Sequence, residues 1–160
     1  MRDTAVVPAI RSGGTTSAAG SERFELAPGF RAAGAACGLK PDGALDLALV
    51  AAEEPCAAAG VFTTNRVRAA PVLYDRAVLG RNGLRIRAVI ANSGCANACT
   101  GPRGLADARE MAALTARALG CAAGQVLVLS TGVIGRPLDM AKVARGIALV
   151  TSPGDRKSVV

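Results

Sequence analysis

The segment from Val126 to Gly135 is the feature that most narrows the fold of this chain. It begins with Val-Leu-Val-Leu, an apolar run that predicts a buried strand. The run leads directly into Ser130-Thr131-Gly132, and Pro137 then stands where the first turn of a helix tolerates it. A strand that ends at a small, glycine-containing turn leaves backbone N–H groups unpaired and directed outward. The sequence therefore predicts a strand–turn–helix unit with donors that can bind an anion or a developing oxyanion.

The sequence alone allows two interpretations of Thr131 and Gly132. In the functional one, the Gly132 N–H and the Thr131 side chain or amide point at a developing negative charge. In the structural one, Thr131 caps the following helix and Gly132 relieves backbone strain. The upstream run from Asn92 to Gly101 has the same ambiguity, because its amides could surround a ligand or form Asx turns with their own backbone.

The length of 160 residues allows one domain, with a core built from aliphatic side chains and alanine. Apolar residues make up 51% of the chain but aromatic residues only 2%, so we expect modest stability and a partner. The net charge is +7, yet the basic residues are scattered, and only Arg156 and Lys157 are adjacent. Without a basic run or an aromatic surface for base stacking, nucleic acid is not expected to bind.

The sequence also disfavours several classes of site. The chain has five cysteines and no histidine, which excludes a Ser–His or Cys–His catalytic pair within it. Cys95 and Cys99 have no further ligands at metal spacing, so no metal site is expected. Asp46 and the acidic residues near it form no convincing catalytic pair, and no nucleotide-binding motif predicts a cofactor. No membrane span is expected, and residues 1–28 are expected to be a disordered extension without a signal-peptide core.

Periodicity predicts a mixed β-sheet layered with helices, an α+β fold. The clearest helix spans residues 105–119, where the apolar side chains share one stripe and Gly120 follows as a stop. A second amphipathic helix is expected over residues 138–149. Strands are expected near residues 29–31 and over residues 45–52, 56–64, 70–74, 85–91 and 125–130.

Six blocks of sequence occur in an order that is typical of one enzyme family. They are Gly29–Gly34, Asp46–Val50, Ala58–Asn65, Ala70–Val72, Ala91–Gly94 with Ala96–Gly101, and Ser130–Gly135. Together they resemble the N-terminal part of the ornithine acetyltransferases, the bifunctional glutamate N-acetyltransferases of arginine biosynthesis. The resemblance covers residues 29–150, a partial α-chain domain. Residues 151–160 do not match the family pattern and are expected to be an unrelated or truncated tail.

The resemblance implies a fold, a reaction and roles for two residues. The family has the sandwich-type architecture of N-terminal-nucleophile enzymes, and its precursor cleaves itself before a threonine to give an α and a β chain. That threonine takes the acetyl group from N2-acetylornithine and passes it to glutamate without a cofactor, with acetyl-CoA left open as a further donor. Its own α-amino group can act as the base, so the absent histidine is no obstacle. Thr131 and Gly132 match the pair that forms the oxyanion hole.

The resemblance also implies what lies outside this chain. The nucleophilic threonine, the substrate-binding lysine and the whole β chain are not among its residues. We therefore expect the isolated chain to be inactive and the enzyme to be an α2β2 assembly. Cys95 stands where an amide residue is more usual in the family.

The compartment and two other functions stay open at this point. We expect the cytoplasm, or a mitochondrion or plastid if residues 1–28 are a transit segment. A related self-cleaving aminopeptidase would turn over peptides without acetylating glutamate. A non-catalytic interaction module would describe the chain if it exists alone.

Overall fold

The computed structural model describes residues 6–10 and 26–152. None of the helices in these ranges is both long and apolar enough to cross a membrane. A short 3₁₀ turn, Ala123–Gln125, precedes the last strand. In chain order the main elements are β1 (Val6–Ile10), β2 (Phe30–Ala35), β3 (Leu47–Cys56), α1 (Ala70–Asn82), β4 (Ile86–Cys95), α2 (Gly101–Leu119), β5 (Val126–Val133) and α3 (Met140–Thr151).

The strands form one mixed sheet. Their order in the sheet follows the chain, and neighbours from β1 to β4 are antiparallel, whereas β4 and β5 are parallel. Parallel neighbours need a crossover connection, and α2 supplies it between β4 and β5. β5 is an edge strand within the described ranges. The predicted α+β class, with a mixed sheet layered with helices, is confirmed.

The core lies between one face of the sheet and the helices. Alternate residues of β3 and β4 are buried, as expected for a sheet with one covered face. Leu47, Leu49 and Ile90 of these strands pack with Met111 of α2 and Ile147 of α3. The side chains in this core are mainly aliphatic or alanine, as the composition predicts.

The prediction of strands over residues 56–64 and 70–74 is wrong. Residues 57–69 have no regular strand or helix, and α1 begins at Ala70. Pro71 suits this position, because the first-turn N–H that it lacks would have no intrahelical partner. The apolar residues of α1 do not share one stripe, so its sequence shows no helical period. The order of elements is therefore β-β-β-α-β-α-β-α.

The other two helices lie where expected but with different ends. α2 begins at Gly101 rather than at residue 105, and Gly120 ends it in the left-handed conformation, with a φ of 68°. α3 begins at Met140 rather than at residue 138. Asp139 caps it, because the Asp139 carboxylate accepts a backbone N–H of the first turn.

Three predicted strands are longer than expected. β3 continues past residue 52 to Cys56, and β5 continues past residue 130 to Val133. β4 continues past residue 91 to Cys95, so the first part of the run from Asn92 to Gly101 is strand rather than loop. This extension carries the end of β4 alongside Thr131 and Gly132.

The two ends of the chain lie only partly within the described ranges. Val6–Ile10, five residues of the predicted extension, form β1 and pair with β2. Residues 1–5 and 11–25 of that extension lie outside the described residues, as do residues 153–160 of the predicted tail. Thr151, the first residue of that tail, is the last residue of α3.

A buried carboxylate on α1 binds the outer side of β5. Asp75 is 9% exposed, and its Oδ1 accepts the Val128 N–H at 2.9 Å. Burial raises the pKa of Asp75 to about 6, although the bond from the Val128 N–H lowers it in part. The chain contains no histidine, the residue type that ordinarily titrates in this range.

The stability of the chain should depend on pH through Asp75. Its pKa is higher in the folded state than in the unfolded state, so the folded chain binds more protons between about pH 4 and 6. Stability is therefore gained as the pH falls through that window. We expect the Tm to rise from pH 7.5 to pH 5 relative to that of Asp75→Asn, which keeps an acceptor oxygen but cannot titrate. The pH-dependent difference in the free energy of unfolding between the two proteins should be on the order of 1–3 kcal/mol. Parallel Tm profiles for the two proteins would contradict this account.

Candidate active site at the end of strand β5

The two residues predicted for the oxyanion hole lie in the last part of β5, beside the end of β4. In the parallel ladder, Thr131 is paired with Ser93 and Gly132 with Gly94. Gly132 has a φ of 131°, which L side chains rarely adopt. A β-carbon built on Gly132 would overlap the Gly94 carbonyl carbon and lie 2.6 Å from the Cys95 nitrogen. Only glycine therefore allows the two backbones to come this close.

The hydrogen bonds around β5 fix the direction of its N–H groups. The Val128 N–H donates to Asp75, away from β4, whereas the Val133 carbonyl accepts the Ala96 N–H on the β4 side. Along a strand, the N–H and C=O groups of successive residues alternate between the two sides. Gly132 therefore points the same way as Val128, away from β4. Its N–H is directed off the edge of the sheet.

Thr131 contributes its side chain to the corner of the sheet where β4 and β5 end. By the same alternation, its N–H points into the ladder with β4. Its side chain is exposed and lies on the sheet face opposite the helices, with Leu129 and Val133. The Thr131 hydroxyl and the Gly132 N–H are thus the donors that this corner offers to a ligand oxygen. Their assignment to an oxyanion hole stays a prediction.

The asparagine side chains of the run from 92 to 101 bond within the chain. Asn92 Nδ2 donates to the Cys95 carbonyl, and Asn97 Nδ2 donates to the Gly104 carbonyl, each at 2.9 Å. Asn97 is fully buried, and its Oδ1 accepts the Thr100 hydroxyl at 2.7 Å. The φ of Asn97 is 46°, a conformation that asparagine tolerates. These bonds favour the interpretation in which the amides hold the local backbone rather than a ligand.

Cys95, the departure from the family pattern, has a structural partner. It is 5% exposed, and its thiol donates to the Arg136 carbonyl at 3.2 Å. The Gly135 N–H also donates to the Ala98 carbonyl at 2.8 Å. Together these bonds hold the segment after β5 against the segment after β4.

Asp46, which precedes β3, organises a nearby loop, and reasoning from the sequence missed this role. The Asp46 carboxylate is buried and accepts four backbone N–H groups, from Cys37 at 2.7 Å, Gly38 at 3.0 Å, Leu39 at 2.6 Å and Lys40 at 3.0 Å. Burial alone would raise the pKa of Asp46, but these bonds outweigh burial and hold the pKa below its ordinary value. Asp46 is therefore ionised at neutral pH. We call residues 37–40 the Asp46 loop.

Two hollows of the described surface lie away from Thr131 and Gly132. One of about 370 Å³ lies between α1 and α2, and its lining includes Tyr74, Arg81 and Arg109. Another of about 340 Å³ lies beside the start of α2. Over the described ranges, no three His, Cys, Asp or Glu side chains group closely enough to hold a metal ion. Within the described residues, the donors at the end of β5 border the surface rather than either hollow.

The sheet face beside Thr131 is apolar and uncovered by the described helices. Val50 of β3 is 39% exposed, and Leu129 and Val133 of β5 are 49% and 54% exposed. Ile134, the residue after β5, is 64% exposed. Adjacent aliphatic side chains exposed on one face are typical of a contact surface. The two donors therefore lie at the rim of a surface that is suited to another segment of protein.

The close approach of the two strand ends can be tested by adding one methyl group. We expect Gly132→Ala to lower the free energy of unfolding by on the order of 3 kcal/mol, because of its φ and the overlap with Gly94. Gly135→Ala is the matched control, since Gly135 also has a positive φ, 76°, but open space around it. Its cost should be about 1 kcal/mol. Urea denaturation measures both, and equal costs would contradict the described packing.

Comparison with protein families and curated proteins assigns most of the chain to one group. The ArgJ family model matches residues 31–158, a range that includes most of the predicted tail. The arginine biosynthesis bifunctional protein ArgJ of Thermotoga neapolitana is 54% identical over 119 residues, which are 74% of this chain and 30% of that protein. The ArgJ protein of Mycobacterium tuberculosis is 52% identical over 143 residues, which are 86% of this chain and 35% of that protein. The chain thus spans about a third of the length of these relatives.

Solved structures agree with this assignment. The crystal structure of ornithine acetyltransferase from Mycobacterium tuberculosis, complexed with ornithine, matches with a TM-score of 0.74 and 56% identity, over 77% of this chain and 66% of that one. The ArgJ protein of Bacillus halodurans matches with a TM-score of 0.71 and 42% identity, over 74% and 61% of the two chains. The resemblance to the ornithine acetyltransferases is therefore confirmed. The chain belongs to the ArgJ family and corresponds to its N-terminal portion.

Proposed function

We propose that this chain is the α-chain portion of an acetyltransferase that moves the acetyl group of N2-acetylornithine to glutamate. Its part in the reaction is the oxyanion hole, formed by the Gly132 N–H and the Thr131 hydroxyl. One feature carries the proposal: the Val128 N–H points away from β4, so alternation along β5 directs the Gly132 N–H off the sheet edge as well, beside the exposed Thr131 side chain. The membership of the chain in the ArgJ family supports the choice of reaction.

The reaction needs a nucleophile, which in this proposal is a threonine at the N-terminus of a β chain. Its hydroxyl oxygen bonds to the acetyl carbonyl carbon of N2-acetylornithine, while its α-amino group accepts the hydroxyl proton. The carbonyl oxygen becomes anionic and accepts bonds from the Gly132 N–H and the Thr131 hydroxyl. Collapse of this intermediate breaks the C–N bond, and ornithine leaves with the proton. The amino group of glutamate then attacks the acetylated threonine through a second oxyanion at the same donors.

Donors in such a hole accelerate the reaction because they are aligned before charge develops. A single donor contributes on the order of 3 kcal/mol to transition-state stabilisation. The Gly132 backbone is held in the ladder with β4, where it packs directly against Gly94. It therefore needs no reorganisation at the moment of reaction.

The uncovered sheet face supports a partner chain in this enzyme. The aliphatic side chains of Val50, Leu129 and Val133 lose exposed area only if another segment packs on that face. We assign this position to the β chain, which places its threonine at the rim beside Thr131. An α2β2 assembly in the cytoplasm is the corresponding complete enzyme.

The proposal is tested by giving the chain a β-chain portion. The chain can be joined after Val150 to the remaining C-terminal part of the Mycobacterium tuberculosis relative, and acetyl transfer from N2-acetylornithine to glutamate assayed. The fusion should form N-acetylglutamate, and the chain alone should not. Parallel assays with acetyl-CoA and with peptides identify other donors or an aminopeptidase. A folded, self-cleaved fusion that turns over peptides but forms no N-acetylglutamate would overturn the proposal.

The role of Thr131 gives a sharper prediction within the same fusion. Thr131→Val keeps the shape of the side chain but removes its O–H, whereas Thr131→Ser keeps the O–H. We expect Thr131→Val to lower kcat by on the order of 100-fold, with Thr131→Ser within about tenfold of the parent. Steady-state kinetics distinguish the two variants. Equal kcat values for the valine and serine variants would exclude the hydroxyl as a donor.

A further inference from the structure

A continuous set of contacts leads from Asp46 to Gly132. Its first step is the Asp46 loop, whose four N–H groups converge on one carboxylate. Gly38 makes this convergence possible, because its φ of 89° turns the backbone within the loop. The loop is also held from the side of α3, where Lys142 Nζ donates to the Gly38 carbonyl at 2.8 Å.

The second step joins this loop to the end of β4. A β-carbon built on Gly94 would lie 3.2 Å from the Leu39 carbonyl oxygen and 3.3 Å from its carbonyl carbon. The Leu39 backbone therefore lies directly against Gly94. The Asp46 carbonyl accepts the Ser93 N–H at 2.8 Å, so Asp46 also binds the residue before Gly94 through its main chain.

The third step joins Gly94 to the candidate oxyanion hole. A β-carbon built on Gly132 would overlap the Gly94 carbonyl carbon and lie 2.7 Å from the Gly94 oxygen. Gly132 thus packs directly against the Gly94 peptide group. A displacement of Gly94 must change the direction of the neighbouring backbone, and misplacement of a catalytic donor by about 1 Å can cost on the order of 100-fold in rate.

We propose that Asp46 is a positioning residue for the oxyanion hole, acting through the Asp46 loop and Gly94 on the Gly132 N–H. This inference rests on the proposed function for its effect on catalysis. It concerns a buried residue whose carboxylate bonds to the backbone of the Asp46 loop.

Asp46→Asn tests the inference in the fusion described above. The amide has one acceptor oxygen, so its NH2 group faces backbone N–H donors that the carboxylate would have bound. We expect kcat to fall by on the order of 10- to 100-fold, with KM changed less than about twofold, because donor alignment rather than substrate binding is lost. Asp42→Asn is the control, since Asp42 is an exposed carboxylate in the turn before Asp46 and accepts the Ala44 N–H. Its kcat should equal that of the parent.

A glycine pair tests the same route without touching the carboxylate. Gly38→Ala strains the Asp46 loop at a φ of 89°, and Gly43→Ala strains the neighbouring exposed turn at a φ of 74°. Neither added methyl group meets an atom closer than 4.0 Å. We expect Gly38→Ala to lower kcat and Gly43→Ala to leave it unchanged. This pair decides the question if Asp46→Asn does not fold.

A measurement on the chain without the fused segment tests this inference independently of the proposed function. Asp46→Asn or Gly38→Ala should shift the backbone amide resonances of Gly94 and Gly132, whereas Asp42→Asn and Gly43→Ala should not. If the parent fusion forms no N-acetylglutamate, the proposed function fails while these shifts still test the contact route. Unchanged Gly132 resonances in a folded Asp46→Asn or Gly38→Ala chain, or parental kcat in an active fusion carrying either variant, would overturn the inference.

Discussion

The parallel pairing of β4 with β5, ending at Gly94 and Gly132, is the constraint on which the candidate site depends. Two backbones approach there without any side chain between them, and Gly132 takes a φ that other residues rarely adopt. Because the strands are parallel, their carboxyl ends meet at one corner of the sheet. Because β5 is an edge strand in the described ranges, alternate N–H groups point away from the ladder. The corner thus has a donor that the sheet itself does not use.

The sequence predicts the parts of this arrangement that are local. The apolar run before Thr131, the helix that ends at Gly120 and the α+β class all follow from patterns within about 20 residues. The failure at residues 70–74 has a local cause as well, because α1 has no apolar stripe and its Val-Leu-Tyr run has strand-like composition. Tertiary packing decides its conformation.

The non-local parts of the site could not be read from the sequence. The proximity of Gly94 and Gly132 depends on the register of two strands separated by the whole of α2. The direction of the Gly132 N–H depends on which side of β5 pairs with β4, and Asp75 binds the opposite side. The role of Asp46 depends on a loop that folds back over it, and an acidic residue between a turn and a strand has no pattern that shows where its oxygens point.

The uncovered face of the sheet and the incomplete active site lie next to each other in this chain. The helices cover one face of the sheet, and the other face is aliphatic, exposed and continuous with the rim where Thr131 lies. In the proposed enzyme, the segment that covers this face also brings the nucleophile, so assembly and completion of the active site are one event. The chain spans about a third of the length of these relatives.

The direction of the Gly132 N–H is the central claim, and amide hydrogen exchange of the chain in solution measures it most directly. If the alternation along β5 is as described, the Thr131 amide is protected by its bond into the ladder, whereas the Gly132 amide exchanges at close to its intrinsic rate. Gly132 protection equal to that of Thr131 would mean that its N–H is already bonded within the chain. That result would contradict the account.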